Sequence, residues 1–511
     1  MPSQSKRLFN FQPLDIKFTN SRDRLLSKMS EISTKNSFEG VVSRASDSFD
    51  YGTAHEQIVV IEQPKNWSSS PSKKFKDDSK RSAEKGLDVF EASFSYIKGS
   101  LSSGYVTIPL CFVLLGFIPS LVVGILIAFT HYFTISQLDR IATEAKVTKY
   151  TDYSLLVHKI LGRRFSYAVK GLQFLYCFGA ALAELVFTIE FTAGTACLMQ
   201  WDKICQDPSH QYAIVLFIIT PLVMITKMHQ LSYASLIATV IQISFYVFII
   251  IYLLFELKMN DFGKSHFSSA VADHNLLSIF EVFGVLMYTI SNATNPLEVR
   301  KSLTNVSNFP KVLKNGCVVT AVVALLLGCT GPFLNQIRKV NEIILMELPT
   351  DNTFIISVEL LFAISITVNF LVFGFGIFEP LEQIDKIREF IFDDERKEAS
   401  FLKRYLVRMF FVCSIFLLTA AIPNLTVLVS LVGSLNAGLL ILVFPSLMTL
   451  KFYEGRNDKK NLRLLSWIIL VAGTVFTLIG TISNAVKIIS PSPADLLVAN
   501  NPNTEGMITS P

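Results

Sequence analysis

Residues 98–109 of this 511-residue chain have the sequence KGSLSSGYVTIP and lie inside the first long apolar run. Two glycines bracket three serines, and a proline follows five residues after the second glycine. Gly and Pro weaken a helix, while small hydroxyl side chains satisfy backbone groups that a break sets free. We therefore predict a broken first helix, with backbone N–H groups that suit an anion such as a carboxylate. The alternative is a face of small residues that packs against another helix.

A second polar interruption ends the sixth apolar run, where residues 288–296 have the sequence YTISNATNP. So many polar groups are poorly tolerated against lipid, so we expect them to face a cavity or another helix. Two interrupted helices, the first and the sixth, indicate a transporter built from inverted repeats.

The composition indicates a polytopic membrane protein. Hydrophobic residues make up 51% of the chain and charged residues 17%, whereas soluble domains are about 25% charged. Residues 1–91 contain 28 of the 87 charged residues. This division excludes a globular cytosolic enzyme of ordinary composition. The net charge of +5 gives no case for a nucleic-acid partner.

Three regions are predicted from this pattern. Residues 1–91 contain 16 serines and mixed charges, so we expect a disordered cytoplasmic tail, either regulatory or simply solvated. Residues 92–490 are predicted to form the transmembrane domain, and residues 491–511 a short extracytoplasmic tail. The charged start of the chain predicts no secretory signal peptide.

The membrane domain contains eleven apolar runs, each near the length that crosses a core of ~30 Å. They are residues 93–116, 119–141, 171–193, 212–225, 233–255, 276–294, 316–334, 354–378, 405–422, 427–447 and 464–486. Runs this long and continuous are expected to be helices, which gives an all-α polytopic fold with eleven transmembrane helices. With the N-terminus inside, the inner loops contain 24 Lys and Arg and the outer segments six. This asymmetry predicts a cytoplasmic N-terminus.

Few ionisable residues lie inside the runs. Glu184, near the middle of the third run, should be protonated or paired, with Lys98 as one partner. It is either a proton acceptor or a group that faces a substrate amine, or else a structural pair. His131, in the second run, suits proton coupling or a hydrogen-bonded packing role. Glu359 is expected to contact water near the outer end of the eighth run, and Asn369 lies deeper in that run.

The cysteines do not form a disulfide framework. Cys197 and Cys205 flank the outer end of the third run, so they could pair with each other or with Cys329, or remain free thiols. The sequence contains no phosphate-binding loop, no metal-ligand cluster and no nucleophile triad outside the membrane. We therefore expect no enzyme, no metal and no cofactor, and transport driven by ion gradients.

Several motifs occur in order along residues 90–490. They are Lys98-Gly99 to Gly104 with Pro109-Leu110, Pro296-Leu297-Glu298, Phe309-Pro310, residues 343–349, Glu379-Pro380 and residues 429–434. With these motifs the chain resembles the amino acid/auxin permease family, within the APC superfamily, and most closely its proton-coupled amino acid transporters.

The resemblance implies a LeuT-type fold, with helices one to five and six to ten as inverted repeats and one extra helix. It also implies that the substrate's carboxylate and amine meet the broken backbone of helices one and six. The corresponding residues are Gly99, Ser100, Leu101, Ser102, Ser103, Gly104, Tyr288, Thr289, Ser291 and Asn292. His131 matches the helix-two histidine that the proton-coupled group is thought to use.

Two departures from the family pattern affect the substrate and the ion. Ser100 replaces an asparagine and Ser102 a common glycine, and the sixth-helix Phe-Glu-Gly-Ile-Gly pattern is missing. We predict a secondary active transporter of small or neutral amino acids, driven by proton symport through alternating access. A sodium symporter and an amino acid-sensing receptor are the alternatives, and the serine-rich tail favours the receptor. The host membrane is vacuolar, lysosomal or plasma membrane.

Overall fold

The structure is a computed structural model. It describes residues 87–147, 152–198, 201, 203, 207–223, 228–259, 278–291, 296–337, 353–382, 384–391, 400–419 and 425–489. Within these residues the regular secondary structure is helical, and no β-strand is present. An isolated bridge pairs Leu87 with Leu303, immediately before the first helix.

Sixteen α-helices lie in the described part of the chain. They are α1 Val89–Ser100, α2 Ile108–Leu115, α3 Phe117–Glu144, α4 Tyr153–Leu161, α5 Arg163–Leu198, α6 Pro208–Val223, α7 Met228–Met259, α8 Ser278–Ile290, α9 Pro296–Ser302, α10 Phe309–Ile337, α11 Thr353–Glu382, α12 Asp385–Ile391, α13 Phe401–Thr419, α14 Leu425–Val432, α15 Phe444–Phe452 and α16 Lys460–Ile489. A π-helix, Gly433–Val443, joins α14 to α15.

The predicted break in the first helix is present. Helix α1 ends at Ser100, Leu101 and Ser102 are extended, and the 3₁₀ turn Ser103–Thr107 leads into α2. The axes on the two sides of the break differ by 59°. The first backbone groups of a new helix have no partner within it, so the break leaves polar backbone inside an apolar segment.

Six helical stretches of the described chain are long and apolar enough to cross a membrane, and a seventh is added if the bent first helix is one span. Three shorter apolar helices, Ser209–Val223, Leu236–Tyr252 and Ser278–Ile290, lie in the fourth, fifth and sixth runs. Helix α13 occupies the ninth. The structure thus describes a multi-span helical protein with six to seven candidate spans, and the count of eleven stays a prediction.

Helices α5 and α11 pack antiparallel near the centre of the molecule. The rings of Tyr176 and Phe373 lie 6.4 Å apart, and those of Phe187 and Phe362 lie 5.8 Å apart. Phe187 lies eleven residues after Tyr176 on α5, and its partner Phe362 lies eleven residues before Phe373 on α11. This register fixes the relative height of every residue on the two helices.

The backbone of helix α8 contacts the backbone of α14 and of the π-helix. A Cβ at Gly433 would lie 1.9 Å from the Gly284 oxygen, and one at Gly284 would lie 2.2 Å from the Ser430 oxygen. Only glycine permits an approach this close. The contact holds α8, which carries Tyr288, against α14 and the π-helix.

Candidate functional site: a carboxylate at the helix break

The centre of the site is a contact between Glu184 and the broken backbone. The Ser103 N–H donates to both carboxylate oxygens of Glu184, with N···O distances of 3.1 Å to Oε1 and 3.3 Å to Oε2. Glu184 is fully buried on α5. The N–H at the start of a helix is a favourable partner for an anion, so the carboxylate occupies an anion site that the break creates.

Two side chains bind the carbonyls on the other side of the break. The Tyr246 hydroxyl on α7 donates to the Ser102 oxygen at 2.9 Å, and the Asn369 amide on α11 donates to the Leu101 oxygen at 3.1 Å. These bonds satisfy carbonyls that the end of α1 leaves without helical partners. With Glu184 on α5, side chains from three different helices therefore form hydrogen bonds to the backbone of the break.

The first break also meets the sixth apolar run. A Cβ on Gly104 would lie 2.7 Å from Cδ1 of Tyr288 and 2.9 Å from Cγ2 of Thr289. Tyr288 in turn lies 5.9 Å from the ring of Tyr176 on α5. The structure thus brings together two predicted segments that are separated by more than 180 residues.

Several hydroxyls at this place lack partners. Among the described residues at this place, four buried oxygens make no hydrogen bond of ordinary length and angle: Oγ of Ser100, Ser102 and Ser103, and the hydroxyl of Tyr288. Leaving a buried polar group unsatisfied costs about 1–3 kcal/mol. A polar ligand that bonded to these oxygens would recover part of that free energy.

The remaining predicted residues of the sixth run are placed differently. The Thr289 hydroxyl donates to the Val285 oxygen at 2.9 Å, and the Ser291 hydroxyl donates to the Met287 oxygen. Both hydroxyls therefore bond to the backbone of their own helix, as is common for Ser and Thr near helix ends. Asn292 lies outside the described residues. Gly99 is partly buried in the last turn of α1.

His131 lies at a separate place. Its Nε2 is 2.6 Å from the Tyr96 hydroxyl, which is also 3.6 Å from Sγ of Cys317. Tyr96 belongs to the intact part of α1, about two turns before Ser103. Either Tyr96 or His131 can donate, depending on the tautomer. The imidazole thus contacts a side chain of α1 and not its broken backbone.

One expectation about the charged residues is wrong. Lys98 makes no ion pair with Glu184 among the described residues, because the carboxylate binds the Ser103 N–H instead. Glu359 is 7% exposed on α11, and its contact with water stays a prediction. For the candidate disulfide, Cys205 and the side chain of Cys197 lie outside the described residues, and Cys329 is a free thiol.

An aromatic layer lies beside the break, and the sequence did not reveal it. Phe362 packs against Phe187 at 5.8 Å, Phe245 at 4.1 Å and Tyr246 at 5.6 Å between ring centroids. Each of these aromatic residues lies in a long apolar run with other aromatic residues. The sequence around it therefore does not distinguish it from an ordinary core residue. We call Phe187, Phe245, Tyr246 and Phe362 the aromatic layer.

Buried and partly buried ion pairs lie at the ends of α3 and α9. Nε of Arg300 is 2.7 Å from Oδ1 of Asp139, and Nζ of Lys301 is 2.7 Å from Oδ1 of Asp152 and 3.3 Å from Oε2 of Glu298. Burial raises the pKa of Glu298. Burial lowers the pKa of Lys301, but the bond to Asp152 and the charge of Glu298 outweigh it, so that pKa lies above its ordinary value.

The fold and this site define a multi-pass membrane protein with polar groups gathered at a helix break. A family model described as transmembrane amino acid transporter protein matches residues 85–486, so the chain belongs to that family. The resemblance inferred from its motifs is confirmed. The description of this family is that of a membrane transport protein.

Two curated relatives are fungal. The vacuolar amino acid transporter 3 of Schizosaccharomyces pombe is 25% identical over 297 residues, and that of Saccharomyces cerevisiae is 24% identical over 318 residues. Each match covers 57% of this chain and 43% of the relative. The chain thus covers less than half the length of these relatives.

Solved structures match over most of the chain at low identity. A manganese transporter of Eremococcus coleocola is 12% identical, with a TM-score of 0.47 over 84% of this chain and 92% of the other. A Na⁺-coupled sialic acid symporter is 11% identical, with a TM-score of 0.40 over 81% of this chain and 97% of the other.

Proposed function

We propose that this protein is a secondary active transporter that moves amino acids across a membrane by proton symport. The contact between Glu184 and the Ser103 N–H carries the proposal. A carboxylate inside a bilayer is costly unless it is paired, hydrogen-bonded or protonated. Here it is bonded to the kind of backbone donor that would also suit the carboxylate of an amino acid.

The geometry gives a route to coupling. A substrate carboxylate that binds the Ser103 N–H must displace the carboxylate of Glu184. Once displaced, Glu184 has lost its donor and is stabilised by taking up a proton, because two carboxylates at one site repel each other. Substrate and proton would therefore bind together and leave together, which is the condition for symport.

The substrate would be held by groups on both segments. The Ser100, Ser102 and Ser103 hydroxyls can accept from an α-ammonium group or donate to a carboxylate. Gly104 leaves no room for a side chain between the break and Tyr288. A small or neutral amino acid fits such a site better than a charged one, since a further charge would lack a partner.

The proposed architecture is the eleven-helix, LeuT-type arrangement with alternating access. The broken first helix and the interrupted sixth run supply the two discontinuous helices that such transporters place at the bilayer midplane. The aromatic layer and the ion pairs near α9 lie at different heights on the bundle, so each is suited to close one side of the site.

We infer a vacuolar membrane with a cytoplasmic N-terminus. The printed names of both fungal relatives and the Lys and Arg distribution support this orientation and location. Because a vacuolar lumen is acidic, proton symport would carry amino acids from the lumen to the cytoplasm.

The test is uptake of radiolabelled amino acids by proteoliposomes that contain the purified protein. An imposed proton gradient is compared with a sodium gradient and with no gradient. We expect accumulation with the proton gradient alone, and competition with single amino acids then identifies the substrate. Accumulation that requires sodium would contradict proton coupling. Binding without accumulation under every gradient would contradict transport and favour the receptor.

A further inference from the structure

Glu359 is a buried carboxylate that the coupling step at Glu184 does not use. The residue is 7% exposed, and no hydrogen-bond or ion-pair partner for it lies in the described part of the chain. Its carboxylate oxygens are not fully enclosed there, so the carboxylate reaches the edge of the packed helices. An unpaired carboxylate at this depth destabilises the fold when it is ionised, and ionisable residues inside membrane helices usually serve a function. Its position relative to Glu184 indicates which function.

The antiparallel register of α5 and α11 sets the heights of the two carboxylates. Glu184 lies three residues before Phe187 on α5, and Glu359 lies three residues before Phe362 on α11. Because the helices run in opposite directions and these rings touch, the carboxylates lie on opposite sides of the ring contact. At 1.5 Å per residue, their heights differ by about 9 Å along the bundle.

Each carboxylate also lies on the same helical face as its ring. Residues three apart on a helix are neighbours, so Glu184 lies beneath Phe187 and Glu359 lies above Phe362. The aromatic layer therefore separates the two acids. The rings of the aromatic layer are at most 2% exposed, so the layer is dry where it lies between the two acids.

We propose that Glu359 is a second proton-binding site, on the far side of the aromatic layer from Glu184, through which protons reach Glu184. With the N-terminus in the cytoplasm, this side faces the lumen. A lumenal hydronium gives its proton to the Glu359 carboxylate. When the layer opens, the proton passes through water to the Glu184 carboxylate, so Glu359 becomes ionised again and the total charge of the two acids is unchanged. The inference rests on the proposed function of Glu184.

Other titratable groups near Glu359 come from three helices. On α5, Glu190 lies one turn beyond Phe187 and so at the height of Glu359. On α7 the nearest is Tyr252, two turns above Phe245, and on α6 they are His210 and Tyr212 at its first turn. Helix α12 follows the opposite end of α11, so its charges lie away from Glu359.

The experiment measures proton-driven uptake by proteoliposomes with oriented protein while the pH on each side is varied separately. In Glu359→Gln, which keeps the shape and removes the titrating group, the response to pH on the Glu359 side should flatten. Uptake driven by protons from the Glu359 side should fall by about 100-fold, the lower end of the rate factor that a positioned proton-transfer group contributes. The response to pH on the other side should persist. Glu359→Asp should restore the first response, and Glu454→Gln is the control for an exposed carboxylate.

A second measurement does not depend on transport. Infrared difference spectra between acid and neutral pH should contain the carbonyl band of a protonated carboxylic acid that Glu359→Gln removes. A normal two-sided pH response in this variant, or loss of uptake to the same extent at every pH, would overturn the inference. Wild-type protein that shows the band but accumulates nothing with a proton gradient would overturn the proposed function and leave proton binding at Glu359 in place.

Discussion

Glu184 and His131 are both fully buried titratable residues that contact the first helix, yet they contact chemically different parts of it. Glu184 binds the N–H of Ser103, a backbone group that exists only because the helix is broken. His131 binds the hydroxyl of Tyr96, a side chain on the intact part. A backbone donor can be taken over by any carboxylate, whereas a Tyr–His bond can be replaced only by a group of matching shape.

This difference teaches that burial does not by itself identify a coupling residue. The residue must share its partner with the substrate, because only then does substrate binding change its protonation. In the proposed function Glu184 meets this condition, because its donor, the Ser103 N–H, would also suit a substrate carboxylate. The assignment of His131 to coupling stays a prediction, and the structure assigns it a bond that positions α1.

The largest effect is expected from Gly104→Val. A Cβ at this position would lie 2.7 Å from the Tyr288 ring, so the two broken segments would be forced apart. Overpacking costs typically about 1–3 kcal/mol, so substrate uptake should fall by about 100-fold or below detection. The protein should still be recovered from membranes. The control is Gly171→Val, where a Cβ meets nothing within 4 Å. Normal uptake by Gly104→Val would contradict a substrate site at the break.

The next effect is expected from Glu184→Gln. The amide oxygen can still accept from Ser103, but the side chain cannot bind a coupling proton. Proton-driven accumulation should fall by about 100-fold, and the dependence of uptake on pH should flatten. Uptake is measured from pH 5 to pH 8 with and without a gradient. An unchanged pH profile would make Glu184 a structural residue.

A smaller effect is expected from His131→Gln, which keeps a hydrogen bond to Tyr96 and removes titration. Even complete loss of this neutral hydrogen bond would cost only about 1 kcal/mol, so uptake should fall by no more than about fivefold. The pH profile should keep its wild-type shape. Tyr96→Phe is the matched change on the partner side and should have a similar effect. A flat profile in His131→Gln with a normal one in Glu184→Gln would reverse the comparison.

The smallest effect is expected outside the membrane helices, from Lys301→Met. The pKa of Lys301 is above its ordinary value in the folded protein, so its contribution to stability is present below about pH 10.4 and is lost as the pH rises further. The free energy of unfolding at pH 7 should fall by about 1 kcal/mol or less, because the pair is partly exposed. Thermal unfolding in detergent at pH 7 and pH 11 measures this difference. A larger difference at pH 11 would contradict the assigned sign.

The hydrophobic pattern and the residue types of 98–109 predicted much of the architecture. The first helix is broken where Gly99, Gly104 and the intervening serines indicated, since Gly and Ser act locally on the backbone. The distribution of Lys and Arg among the loops predicted the orientation of the chain in the membrane. Membership of the transporter family was visible from the spacing of several motifs.

The sequence could not determine which side chain contacts which backbone group. Glu184 bonds to Ser103 across 81 residues, and Asn369 bonds to Leu101 across 268. These pairs depend on the register of packed helices, which a run of apolar residues does not specify.

The sequence by itself therefore determined that this is a membrane protein with an interrupted first helix, because hydrophobic length and glycine content are local properties. Only the tertiary structure decided that Glu184 binds the break and not Lys98, and that Glu359 is buried beyond an aromatic layer. The reason is that the environment of a side chain is made by neighbours distant in sequence, and burial of a charge is governed by those neighbours alone.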